Sequence, residues 1–253
     1  MATLIEVTSR FSDRVLRLLE TAEHRIATSP VQREAVFRMR YEAYQRNGLL
    51  EPREDGRLHD ERYDDIPDSW ITVTFIGGEL AGTVRVNVGA HEDALLPGLQ
   101  VFRDILGPKL QDRRVVEFTR LAAKFSLAST HPELAYVIMR PAYMAAEHFE
   151  ADFAVATPRA EHISFYKRVF GAALWCPPRH YPEITAKIAC MAADYREVRK
   201  IIESHYPFFK SDHAERKALF GPGKIAPGAC SDSDPARRRW ANESSAASLG
   251  RIS

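Results

Sequence analysis

Nowhere in its 253 residues does this chain hold the run of about 18 apolar side chains that a membrane-crossing helix needs. Its opening stretch, MATLIEVTSRFSDR, lacks the apolar core of a secretion signal, so no stable membrane insertion and a cytoplasmic location are expected. Cysteine is scarce. Cys176, Cys190 and Cys230 are far apart and form no C-x-x-C, which argues against a disulfide framework and for reduced thiols. Excess charge is missing too: the net value is +1, and without a basic stripe nucleic-acid binding is not the main role. There is no serine nucleophile elbow, no phosphate-binding glycine loop, no G-x-G-x-x-G and no metal-ligand spacing. Hydrolase, kinase and dehydrogenase chemistry therefore fall behind, and no metal is expected.

What is present reads as alternating helices and strands. Apolar residues Phe11, Val15, Leu18, Leu19, Ala22 and Ile26 predict an amphipathic helix over residues 11–27. A second helix has Ser29 as cap, Pro30 in its first turn, Gln32 completing a capping box, and Gly48 to end it. Residues 49–69 are polar and turn-rich, a loop. The stretch WITVTFIGGELAGTVRVNV is a hairpin turning at Gly77-Gly78. VFRDIL is a short helix, and VVEFTRLAAKF (115–125) a third strand. Thr130-x-x-Glu133 opens a long helix to about Phe149, with a kink expected at Pro141. DFAVAT is a buried strand, EHISFYKRVFG a helix closed by Gly171, ITAKIACMAADY a strand, and YREVRKIIESHY a helix started by Asp194. A strand–helix–strand unit over 115–157 forces one parallel pair into an otherwise antiparallel sheet. The tail from Gly221 has no periodicity and reads as disordered.

Two charges sit where a core strand should be apolar: Glu117 and Arg120. Burying them is costly unless they are paired or used. In a regular strand, residues three apart point to opposite faces. Either one of the pair faces solvent in an ordinary ion pair, or a bulge between them brings both to one site. Arg85 is a third charge in an apolar run, between Val84 and Val86. Asp60, Glu61, Asp64 and Asp65 just before the hairpin offer acidic partners, or are a solvated loop. Arg38 and Arg40 lie on the capped helix beside Tyr41 and Tyr44. Such an arginine–carboxylate cluster can perturb pKa values and hold a small charged substrate. Tyr166, on the helix after the parallel strand, can protonate a leaving thiolate or simply pack in the core, and His162 is equally ambiguous.

The element order resembles the GNAT acyltransferase superfamily. The stretches FRMRYEAYQRNGLL, DERYDDIPDSWITVTFIGGELAGTVRV, VEFTRLA, LAYVIMRPAYMAAEHFEADFAVATPRAEHISFYKRVFG and HYPFFKSDHAERKALF resemble N-acyl amino acid synthases of the FeeM type, relatives of the autoinducer (acyl-homoserine lactone) synthases. The resemblance spans about residues 31–220. It implies a single α/β domain with a GNAT-like mixed central sheet flanked by helices, residues 1–30 as an N-terminal helix or extension, and a tail over 221–253. The autoinducer signature Glu-x-Ser-Arg reads here Glu117-Phe118-Thr119-Arg120. Arg85 matches the family's hairpin arginine, and Arg33 and Phe37 its first-helix pair. The acidic loop matches at Asp64 but departs from the autoinducer pattern at His59 and Glu61, and the first-helix tryptophan is missing. Those departures favour the amino acid synthases.

The resemblance implies transfer of a long-chain fatty acyl group from acyl carrier protein to the α-amine of an amino acid. The acyl-phosphopantetheine thioester is then the co-substrate and no cofactor is tightly bound. Glu117 would be the base, through water, and Tyr166 the acid. Arg85, Arg120, Asp64, Arg40 and Phe37 would shape the amino-acid site. Members that use acetyl-CoA cradle its pyrophosphate on a glycine-rich turn before the long helix. Between Leu121 and Pro141 this chain has no glycine, which favours a carrier protein as donor, with Lys124, Arg140, Arg159, Lys167 and Arg168 as docking candidates. The alternatives are a homoserine lactone synthase, an exosortase-associated acyltransferase, and a non-catalytic carrier-binding module.

Overall fold

The computed structural model describes residues 4–90 and 94–221. Seven strands make one sheet: β1 (Ala22–Ile26), β2 (Ser69–Ile76), β3 (Glu79–Gly89), β4 (Val115–Ala123), β5 (Phe153–Ala156), β6 (Ala173–His180) and β7 (Lys187–Asp194), in the order β1-β2-β3-β4-β5-β7-β6. Only β4 and β5 pair in parallel, as the strand–helix–strand unit demands. The helices are α1 (Leu4–Leu19), α2 (Pro30–Arg46), α3 (Glu61–Asp64), α4 (Leu99–Leu110), α5 (Phe125–Ala128), α6 (Leu134–His148), α7 (Ile163–Phe170), α8 (Tyr195–His205) and α9 (His213–Phe220). The sheet parts two layers. Leu99, Phe102 and Leu106 of α4 pack with Val115, Val155 and Cys190 on one face, the side on which α2 also lies across β4. On the other, α6, α7 and α8 enclose Phe118, Ala156 and Met191.

Local chemistry explains the ends. Ser29 Oγ accepts from Gln32 N–H at 3.2 Å while Gln32 Oε1 accepts from Ser29 N–H at 3.4 Å, the reciprocal capping box that starts α2. Gly77 and Gly78 turn the hairpin with φ of +57° and +83°, a left-handed pair that side chains resist. Gly171 closes α7 at φ +59°, and Asp194 starts α8 by accepting from Arg196 and Glu197 N–H. α6 runs through Pro141 unbroken, and Glu133 rather than Thr130 is its N-cap. Thr130 instead bonds back to the Ser126 and Leu127 carbonyls.

Several elements differ from expectation: within the expected loop 49–69 residues Glu61–Asp64 form α3, and the strand expected over 115–125 ends at Ala123, with Phe125 opening α5. The helix expected over 11–27 ends at Leu19, and AEHRI becomes the edge strand β1, paired antiparallel to β2 with Glu23 and Arg25 exposed. ALWCPPRH, to which the sequence assigns no element, forms β6 in spite of Pro177-Pro178; at the rim of a sheet a missing N–H costs nothing. α9 docks on α6 through Arg140, whose guanidinium binds the Phe208 and Lys210 carbonyls and pairs with Glu215. Cys176 and Cys190 oppose each other across β6 and β7 as buried thiols. Cys230 and the tail read as disordered lie outside the described residues.

α6 lies so close to the sheet that Gly82 on β3 has no room for a side chain. A Cβ there would stand 2.6 Å from Ile138 Cγ1 and 2.9 Å from the Ala122 carbonyl oxygen. Gly82→Ala is expected to lower stability by about 1–3 kcal/mol, read as an earlier midpoint in denaturant at unchanged slope. An unshifted midpoint would show that α6 can retreat.

Candidate active site

The anomaly in β4 is a bulge. Thr83 pairs with Ala122 and Arg85 with Thr119, so Val84 alone faces Arg120 and Leu121. Arg120 takes the extra position with φ +54°, a left-handed conformation costing about 1 kcal/mol or more for a side-chain-bearing residue. The twist carries Arg120 to the face already occupied by Glu117 and Thr119. Of the two readings open for Glu117 and Arg120, the structure shows the bulge.

Around the bulge three guanidiniums surround two carboxylates, all buried. Arg40 donates from Nη1 to Asp64 Oδ1 and Oδ2 at 2.9 and 3.0 Å. Arg85 Nη1 reaches Asp64 Oδ1 at 3.3 Å and Asp60 Oδ2 at 3.1 Å, and its Nε donates to Thr119 Oγ1 at 3.0 Å. Arg120 Nη2 donates to Asp60 Oδ2 at 3.3 Å and pairs with Glu183. Burial alone would raise the Asp64 pKa, but Arg40 and Arg85 outweigh it and hold the carboxyl well below the usual range. Three arginines thus meet Asp60, Asp64 and Glu183, and the charges balance without Glu117.

Glu117 is fully buried, and among the described residues no cation hydrogen-bonds to it. Its Oε2 accepts from the Gly98 N–H at 2.9 Å, where α4 begins. Burial pushes its pKa up to about 7, against smaller lowering by the Gly98 N–H and Arg85. Among the described residues, five polar atoms of this cluster have no hydrogen-bond partner: Glu117 Oε1, Asn87 Oδ1, Arg85 Nη2, Arg40 Nε and Arg40 Nη2. Asn87 is Glu117's neighbour across β3 and β4. The set offers acceptors on one side and cationic donors on the other, which suits a zwitterion.

Phe37 is buried at the outer edge of the cluster. Its ring stacks on His59 at 4.3 Å between centroids, and the Arg33, Arg40 and Arg57 guanidiniums lie 5.4–5.8 Å from it. His59 Nε2 is 2.7 Å from Asp65 Oδ2, and Arg33 pairs with the same carboxylate. The expected acidic loop thus divides: Asp60 and Asp64 face inward, Asp65 outward.

Beside the cluster the sheet splits. β4 and β5 pair only from Val115–Phe153 to Phe118–Ala156. Beyond that, β4 continues against β3, while the chain after β5 turns to β7, where the Ala189 N–H donates to Pro158 O at 2.8 Å. The gap opens a cleft of about 660 Å³, within the range of small-ligand sites, lined by Phe118, Thr119, Arg120, Leu121, Thr157, Pro158, Met39, Tyr44 and Tyr166. Thr119 and Arg120 belong to both the cleft and the buried cluster and join them.

Tyr166 is buried and stacks on Phe118 with centroids 6.2 Å apart. Burial raises the pKa of its hydroxyl. Adjacent strand residues point to opposite faces, so Tyr166, on the Phe118 side, sits across the sheet from Glu117. The structure therefore gathers Arg40, Asp64, Arg85, Arg120 and Glu117, puts Phe37 at their edge, and keeps Tyr166 apart at the cleft. Asp60, Thr119 and Asn87 join them; all three lie within the charged stretches that drew attention. Glu183 follows β6 and carried no signal. Of the docking candidates, Arg140 is withdrawn: it is buried and spent on α9.

The sequence profile of the family described as N-acyl amino acid synthase FeeM matches residues 35–194. The chain belongs to that family. Membership and fold make it an N-acyltransferase. Among solved structures, FeeM itself, an N-acyl amino acid synthase from uncultured soil microbes, is similar over 72% of this chain and 97% of its own, at 18% identity and TM-score 0.60. TofI, solved in a ternary complex with an inhibitor and MTA, is similar over 79% and 98%, at 16% and 0.52. BjaI, a CoA-dependent acyl-homoserine lactone synthase solved with SAM and isopentyl-CoA, is similar over 74% and 89%, at 15% and 0.51. These are likenesses of fold. No curated protein sequence matches. No helix among the described residues is long and apolar enough to cross a membrane.

Proposed function

We propose that the chain transfers a fatty acyl group from the phosphopantetheine thioester of an acyl carrier protein to the α-amine of an amino acid. The observation that carries this is the junction of two unlike sites: an open cleft at the split strands, and beside it a buried cluster with unpartnered acceptors and arginine N–H groups. The thioester arm suits the cleft, where β4 past Phe118 has lost its β5 partner and presents backbone amides for the arm and the developing oxyanion. The amino acid suits the cluster, its carboxylate toward Arg40 and Arg85 and its ammonium toward Glu117 and Asn87. The ammonium gives a proton to Glu117 through water, and the nitrogen attacks the thioester carbon. The C–N bond forms and the C–S bond breaks; as the amide forms, the nitrogen gives up its second proton through solvent, which restores the group that protonates the thiolate, and the thiolate takes a proton. Tyr166, at the cleft, is the donor of that proton, a weak acid kept protonated by burial.

The start of α6 favours a carrier protein as the donor. A coenzyme A pyrophosphate favours glycine-rich amides at a helix N-terminus. Here the position is held by the α5 turn and by Glu133, a buried carboxylate at the N-cap with Arg14 3.9 Å away, and no glycine occurs between Leu121 and Pro141. A carboxylate there disfavours phosphate. A carrier's arm needs no such cradle and brings its own protein body. No tightly bound cofactor enters the scheme.

Two measurements test the reading. Purified enzyme offered lauroyl-loaded carrier protein is expected to acylate an amino acid at least about tenfold more efficiently than with lauroyl-CoA, a difference of about 1.4 kcal/mol. Lipid extracts of an expressing host are expected to hold new N-acyl amino acids by mass spectrometry. Equal use of both thioesters would sink the donor assignment, and acyl-lactones in the extract the acceptor assignment.

A further inference from the structure

At the cleft mouth, the last turn of α2 meets the first residue of α5. The Arg46 guanidinium lies 4.1 Å from the centroid of the Phe125 ring, and both side chains are open to water, Phe125 by 57%. An exposed phenylalanine held under an arginine, beside the opening of a reaction cleft, has the composition of an interface anchor. We propose that Arg46 and Phe125 form the surface on which the acyl carrier protein docks, a statement that rests on the donor assigned above.

Charge selects the partner. The rim carries exposed Arg38 and Arg46 and half-buried Lys124 and Arg159 against exposed Glu42 and Glu79. Three of these cations are answered within the chain: Arg38 by Glu34 at 2.7 Å, Lys124 by Glu79, and Arg159 by Glu161 at 2.5 Å. Arg46 makes no ion pair among the described residues; it lies over the Phe125 ring. An acidic protein surface gains most at a cation that surrenders no existing pair, and the stacked ring holds that cation ready. Phe125 follows Lys124 directly at the cleft wall, so a carrier seated here has its arm at the opening. A free coenzyme A thioester has no protein body with which to use the pair.

The test separates the carrier's body from its arm. Binding of fluorescently labelled holo-carrier protein is measured directly, and turnover is measured with lauroyl-loaded carrier and with lauroyl-pantetheine. Arg46→Glu and Phe125→Ala are each expected to weaken carrier binding about tenfold or more and to raise KM for the loaded carrier by the same factor. KM and kcat with lauroyl-pantetheine are expected to stay within about twofold, and the melting temperature unchanged. Wild-type binding is expected to fall steeply with added salt. Absence of carrier binding to the wild type, undiminished binding to both variants, or equal losses with both donors would overturn the docking surface. Carrier binding through this pair with no acyl transfer to any amino acid would instead overturn the proposed reaction and leave the surface standing.

Discussion

Replacing Glu117 by glutamine is expected to give a protein that is folded, more stable than the wild type at pH 8, and slower by about 10²–10⁴-fold in kcat. The two effects share one cause. A carboxyl that titrates near 7 in the fold and near 4.5 in the open chain binds more protons folded than unfolded between those values, so stability falls as pH rises through this window. Above pH 7 the loss is on the order of 3 kcal/mol. Glutamine keeps the carbonyl that accepts from Gly98 and cannot ionise, so the variant escapes the loss. Below pH 4.5 the two proteins should melt alike. The wild-type rate should climb through pH 7 to a plateau as the base loses its proton, and the residual rate of the variant should ignore that transition. A stabilised Glu117→Gln variant with full turnover would make Glu117 a strut for α4 and nothing more.

The second large effect is expected at Asp64. Asp64→Asn removes the one carboxylate bound by both Arg40 and Arg85, which are fully buried. Two desolvated cations are left with less compensation, and such a loss costs about 3–5 kcal/mol. Burial depresses Arg40 more than Asp64 supports it, so Arg40 is the first cation to suffer. The pH dependence has the opposite sign to that of Glu117. A carboxyl held below its ordinary 3.8 supplies stability that is complete above about pH 4 and is lost as pH falls further. Denaturant melts of the wild type and variant should therefore converge in acid and diverge by the full amount at neutral pH. If Arg40→Met is added to Asp64→Asn, the double variant should be less damaged than the sum of the single ones, since part of the unpaired charge is gone. Additive losses would mean that the pair is uncoupled and that solvent reaches the cluster.

The parts of this fold that could be read in advance have strong local chemistry. The Ser29–Gln32 box, the Gly77-Gly78 turn and the Gly171 and Asp194 caps act over a few residues, and each sits where expected. What escaped depends on partners distant in the chain. AEHRI is a strand only because β2 is beside it, and ALWCPPRH only because it lies at the edge. At the site, Glu117, Arg120 and Arg85 stood out because charge in apolar surroundings is rare, and Asp64 because its acidic loop precedes the hairpin and resembles the family's. Glu183 did not, since a glutamate in a loop is ordinary until Arg120 arrives beside it. That Tyr166 and Glu117 lie across the sheet from each other is a matter of which face Phe118 takes, and α7 decides that by packing on it.

The bulge at Arg120 also changes the parity of β4. Before it the odd-numbered positions, Glu117 and Thr119, belong to the polar side; at the extra residue the even-numbered Arg120 takes that side over. One strand therefore carries three functional addresses on one face within four residues, which regular alternation would spread over five. The motif's tight spacing in sequence and its shared surface in space are the same fact: a count of one, inserted once, that no substitution can replace.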